Sequence, residues 1–167
     1  MLVTVAILGI IAKVVIPLLS SNDPQKLALA TEETANLLRF AMSEAKRTGG
    51  YVVVDGLSTA GQLKLNYSNS QANPMVAITD PLTTRAAVLN FSAHPFLQGV
   101  TLTPQFWAGG GAQRLLLISP VVPQFEGFYA VGSSQGSLTA GSGVLLELGS
   151  LSTTVNLNEL TGLVTLP

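Results

Sequence analysis

Asp23-Pro-Gln-Lys-Leu-Ala-Leu-Ala-Thr-Glu-Glu-Thr-Ala-Asn-Leu-Leu-Arg-Phe-Ala-Met-Ser-Glu-Ala-Lys-Arg-Thr-Gly-Gly50, followed at once by Tyr51-Val-Val-Val-Asp55, decides the fold. Leu27, Ala30, Thr34, Leu37, Leu38, Ala41 and Ala45 recur at steps of three and four, which gives a helix one apolar stripe. Glu32, Glu33, Arg39, Lys46 and Arg47 fall largely off it. Asp23 ahead of Pro24 reads as a capping residue before a proline at the first helical position. Lys46 and Arg47 suit the negative end of the helix dipole, and Gly49-Gly50 is a stop. Leu27, Leu37, Leu38, Ala41 and Ala45 are therefore expected to pack the helix on whatever follows it.

From Tyr51 onward the period is two. Short strands are expected at 51–55, 62–67, 74–79, 86–91, 99–103, 114–119, 143–148, 153–157 and 163–166, separated by Gly, Pro, Asn and Ser. Leu115-Leu-Leu-Ile118 is the one solidly apolar run among them and is expected to lie centrally, covered on both faces. The intervals are too short for crossover helices, so the sheet should be antiparallel. The class is α+β: a long N-terminal helix packed on an antiparallel β domain.

Upstream, the chain is apolar from Leu2 to Leu19 with Lys13 its one charge. Such a run lies at the lower edge of what spans a bilayer, which takes about 20 residues. A cleavable signal peptide would need a basic start and a small-residue cleavage site, and a buried core helix suits a shorter run. The expected membrane and assembly helix comprises Leu2, Val3, Val5, Ala6, Ile7, Leu8, Gly9, Ile10, Ile11, Val14, Val15, Ile16 and Pro17. Lys13 can reach the interface along its stem, and Pro17 kinks the helix without ending it. The organisation is then 1–21 transmembrane helix, 22–49 its amphipathic continuation, and 50–167 β domain. One helix of about 47 residues would extend roughly 70 Å.

Composition narrows the function. Of 167 residues only 10% are charged, with eight Lys and Arg against nine Asp and Glu. Mean hydropathy is +0.47, and a disordered chain is excluded. There is no Cys, so disulfides, thiolate metal sites and Cys nucleophiles are excluded, and His94 is the one histidine. No cofactor, small-molecule substrate or metal is expected.

Gly132-Ser-Ser-Gln-Gly136 fits the G-x-S-x-G pattern of a nucleophile elbow, but the following segment reads as loop and His94 comes earlier in the chain. A surface loop is the expectation there. Gly109-Gly-Gly111 lacks the Lys of a phosphate loop and reads as a flexible turn. His94 precedes Pro95 in what reads as loop, with no partner evident in the sequence. Asp55, Asp80, Glu126, Glu147 and Glu159 are spaced singly rather than as a calcium loop. Phe106, Trp107, Phe125, Phe128 and Tyr129 are expected mainly in the core, with an exposed contact patch as the alternative.

Met1-Leu-Val-Thr-Val-Ala-Ile-Leu-Gly-Ile-Ile-Ala12 resembles the N-terminal signature of type IV pilins and type II secretion pseudopilins, with Gly9 and Pro17 on that helix's glycine and proline. Residues 35–55 and 153–166 are similar to the minor pseudopilin H and FimT-like subfamily, while 56–152 match nothing in it. The resemblance implies a non-enzymatic minor pseudopilin of a type II secretion system, anchored in the inner membrane with its β domain in the periplasm, with a minor type IV pilin (fibre priming or DNA uptake) and a membrane-tethered periplasmic binding domain as the alternatives. Its partners would be other pilin-like subunits and membrane lipid. The family's basic leader, its cleavage-site glycine and its Phe-Thr-Leu-Ile-Glu segment do not precede Met1. The expectation is a start about five residues inside the mature protein, or a truncation that cannot be processed. Some relatives bind DNA through Arg-bearing C-terminal segments. Here Gly162-Leu-Val-Thr-Leu-Pro167 has no base and residues 51–167 offer only Lys64, Arg85 and Arg114, so no nucleic acid is expected.

Overall fold

The computed structural model describes residues 22–81, 83–121 and 125–167. Helix α1 runs Asp23–Thr48, about 39 Å. The transmembrane segment expected at 1–21, including Leu2 through Pro17, lies outside the described residues. Among the described residues no helix is long and apolar enough to cross a membrane.

α1 starts one residue earlier than a capping Asp23 would place it. Asn22 flanks the helix and makes no side-chain cap bond, while its carbonyl accepts from Lys26 N at 2.8 Å. Asp23 thus sits in the first turn, where its charge suits the dipole, with Pro24 beside it. At the other end Gly49 takes the left-handed conformation (φ +67°) and donates its N–H to Ala45 O at 3.0 Å. The buried Thr31 and Thr34 hydroxyls donate to Leu27 O and Ala30 O at 2.7 and 2.8 Å, so neither is orphaned in the core.

Among the described residues the strands that follow are β1 (Tyr51–Asp55), β2 (Gln62–Ser68), β3 (Val76–Ala77), β4 (Val88–Asn90), β5 (Thr101–Ala108), β6 (Gly111–Gln113), β7 (Leu115–Ile118), β8 (Phe125–Ala130), β9 (Ser133–Ser137), β10 (Gly143–Leu148), β11 (Leu151–Leu157) and β12 (Val164–Thr165). They form two sheets, β3-β2-β1-β7-β8-β9 with β4 also on β2, and β12-β11-β10-β5-β6. The pairings are antiparallel.

α1 packs on strands of both sheets, β1, β4 and β7 of one and β10, β11 and β12 of the other, so the two share one core. Val52 and Val54 face that core, while Val53 joins Leu115, Leu117 and Phe128 on the opposite face under Ala72 and Met75. β1 and β7 are therefore covered on both sides, which suits their unbroken runs of Val and Leu.

The strands expected at 74–79 and 86–91 shrink to β3 and β4 with a bridge between Thr79 and Ala86. The one expected at 163–166 keeps only Val164 and Thr165, whereas β5 starts at Thr101 and continues to Ala108. β6, β8 and β9 were not expected. The Gly-Ser segment expected to be a loop is mostly β9, an exposed edge strand held by pairing with β8 rather than by a pattern of its own. Gly109 and Gly110, both at positive φ, turn β5 back into β6 as a tight hairpin.

Candidate functional site

The site built from the sequence is α1 itself. Leu27, Leu38, Ala41 and Ala45 are buried as expected. Leu37 is not on the floor of the contact: it is half-buried at the edge of the core, because Ala35 and Leu38 point more directly at the sheets. The buried stripe also takes in Thr31, Ala35 and Glu44.

Glu44 is the charged side chain α1 buries, and it does so with every oxygen engaged. Its carboxylate accepts from Arg47 Nε at 2.8 Å and Nη2 at 2.6 Å, and from the Tyr67 hydroxyl of β2. The Arg47 bond holds the Glu44 carboxyl below the usual carboxylate range; burial pushes the other way and the Tyr67 bond assists. Tyr67 is pushed above 10.0 because it donates to that carboxylate and is partly buried. The Arg47 guanidinium, two-thirds exposed, is raised by the same carboxylate. The Tyr67–Glu44 bond ties α1 to the first sheet as a polar latch beside the apolar contact.

Next to the latch, α1 and the turn before β12 enclose an open groove of about 890 Å³. Arg39, Lys46 and Arg47 line one wall, and Met42, Leu163 and Val164 supply apolar floor. Thr161 and Gly162 form the opposite wall, in a turn that Asn158 holds: its Oδ1 accepts from Leu160 N and Thr161 N, and its carbonyl from Gly162 N. Gly162 sits at φ +71°, and a Cβ there would run into the Phe125 ring, so the turn admits no larger residue without moving that ring. Arg39 Nη2 donates to Val164 O at 3.3 Å across the groove. The C-terminal segment that carries no base is thus flanked by three bases from the helix. That convergence was not legible from residues 51–167 alone.

Two smaller features involve the helix. A groove of about 340 Å³ lies between its first turns and Leu151 and Leu166. His94, for which the sequence shows no partner, has its Nε2 3.7 Å from Glu33 Oε1, because the segment after β4 folds against α1.

Of the aromatics, Phe106, Phe125 and Phe128 are core, whereas Trp107 and Tyr129 are exposed. Ser134 lies within β9 and donates to Glu126 Oε2 at 2.9 Å, not on a strand-to-helix turn, so the G-x-S-x-G pattern forms no elbow. Among the described residues no three His, Cys, Asp or Glu side chains gather as metal ligands. The chain matches no known family model, no curated protein and no solved structure.

Proposed function

We propose that this chain is a non-enzymatic structural subunit of a pilin-like fibre, a minor pseudopilin of a type II secretion system. Its apolar N-terminal helix would sit in the inner membrane with the β domain in the periplasm. The reading is carried by one observation: an amphipathic helix with one face buried on antiparallel sheets follows directly on an eighteen-residue apolar run with a single charge. Assembly would be mechanical, the apolar helix exchanging lipid for the helices of neighbouring subunits. The resemblance of residues 1–12 to pilin helices supports the same assignment.

The test is fractionation of the full chain beside a form starting at Asn22. The full chain is expected in the membrane fraction and the shortened form in the soluble one. Equal partitioning of the two forms would overturn the anchor.

A further inference from the structure

At the end of the molecule where α1 starts, apolar side chains are exposed on both flanks of the helix. On one flank Leu151 and Leu166, each 38% exposed, border the 340 Å³ groove with Pro24, Leu27 and Ala28. On the other, Leu29 is 45% exposed and lies one turn before Glu33, which meets His94. Two residues beyond His94, Phe96 is 72% exposed, its ring centroid 6.2 Å from the imidazole. The segment carrying Phe96 and the turn between β10 and β11 gather at this same end. A Cβ on Gly99 would lie 3.3 Å from Leu148 Cδ1, and Leu148 pairs with Leu151. One exposed leucine is ordinary, but Leu29, Phe96, Leu151 and Leu166 ring a single helix end without joining either core cluster. The charges nearby are mainly acidic: Asp23, Glu32, Glu33 and Glu147 against Lys26 and His94.

We infer that this apolar collar seats the β domain on the headgroup layer of a zwitterionic lipid bilayer. The inference rests on the proposed function, because an anchor at residues 2–19 is what puts a bilayer at this end of α1. Residues 1–21, outside the described residues, join the helix beside the collar. Five residues separate Leu19 from Pro24, about 8 Å as helix, and one headgroup layer is about 5–8 Å deep. The anchor therefore delivers Pro24, and the groove it shares with Leu151, to the outer edge of that layer. There Phe96, Leu151 and Leu166 lose water by entering it, as the apolar face of an interfacial helix does. Attraction to anionic lipid has no part in this, since the acids around the collar outnumber Lys26 and His94. A lipid surface is also favoured over a protein partner, because the tether holds the bilayer beside the collar at a high effective concentration.

The chain has no Cys, so one introduced thiol carries one probe. Full chains bearing Phe96→Cys, Leu151→Cys or Ala112→Cys are labelled with a polarity-sensitive fluorophore and reconstituted in phosphatidylcholine vesicles containing headgroup nitroxide lipid. Ala112 is the control: it pairs with Trp107, six residues along β5 from the collar end at Thr101, about 20 Å away. Emission at Phe96→Cys and Leu151→Cys is expected to shift to the blue and to be quenched about threefold or more, with no quenching at Ala112→Cys. Adding Phe96→Asp to the Leu151→Cys chain should at least halve its quenching while leaving sedimentation with the vesicles unchanged. Quenching that grows with phosphatidylglycerol and fades with salt would overturn apolar seating. A blue shift without quenching would mean that protein, such as a second copy, covers the collar, and would overturn the inference. Unquenched, unshifted probes on a vesicle-bound chain would overturn it while leaving the anchor standing. A full chain that fails to enter vesicles would overturn the anchor, and the seating with it.

Discussion

On its buried face α1 presents Ala30, Ala35, Ala41 and Ala45, all with no measurable exposure, around Leu38; on its exposed face it presents Glu32, Arg39, Ser43 and Lys46. The first set is small and uncharged because two sheets approach the helix closely, and any extra volume there would need the sheets to move. The second set meets solvent and no packing constraint, and its order of acid toward the start and base toward the end is the one the helix dipole favours. The difference separates a face fixed by close packing from one shaped only by weak, solvent-screened electrostatics.

The largest expected effect tests the buried face. Leu38→Asp places a carboxylate in the apolar core and should cost about 3–5 kcal/mol in denaturant unfolding. A loss under about half a kcal/mol would mean the stripe does not face the sheets.

Between the two faces stands the Glu44–Tyr67 latch. Glu44→Gln keeps the shape and removes the charge, which should cost about 1–3 kcal/mol at neutral pH. The pH dependence follows from the directions of the shifts. Glu44 titrates below its ordinary 4.5, so its stabilisation is present above that pH and is lost as pH falls through the lowered value. Tyr67 titrates above 10.0, so its share is present below that pH and is lost as pH rises through the raised value. Glu44→Gln should therefore show a shallower loss of stability between about pH 5 and 3 than the parent. An acid limb as steep as the parent's would mean the latch adds nothing to folding.

The smallest effect belongs to the exposed face. Lys46→Glu and Glu32→Lys should each leave unfolding stability within about 0.5 kcal/mol of the parent. A larger change would show that the charge order serves folding after all, and would remove the contrast between the faces.

What the sequence made legible follows the same division. Leu27, Leu38, Ala41 and Ala45 could be placed because burial on a helix leaves a 3.6-residue rhythm, and Leu115–Ile118 because a doubly covered strand is apolar throughout. Leu37 shared the rhythm but sits at the rim, where a few degrees of rotation decide coverage. Glu44 could not be placed because its burial depends on Tyr67 from another strand; the Glu-x-x-Arg spacing to Arg47 was the one local trace. β8 escaped notice because Phe125 and Phe128 face opposite sides of the sheet and Gly127 is forced by the approach of Ala108, where a Cβ would come within 2.7 Å. The basic groove was invisible because its bases and the turn 161–164 that faces them are more than a hundred residues apart in the chain.

Under the proposed function, the apolar run 2–19 inserts among the helices of pilin-like subunits. A photo-crosslinking residue in place of Ile10, in cells that carry a type II secretion system, tests it most directly. Such insertion should give protein adducts with pilin-like subunits, formed in the membrane fraction and lost when the secretion system is deleted. Adducts with lipid alone, unchanged by that deletion, would contradict it and leave a tethered domain that never assembles.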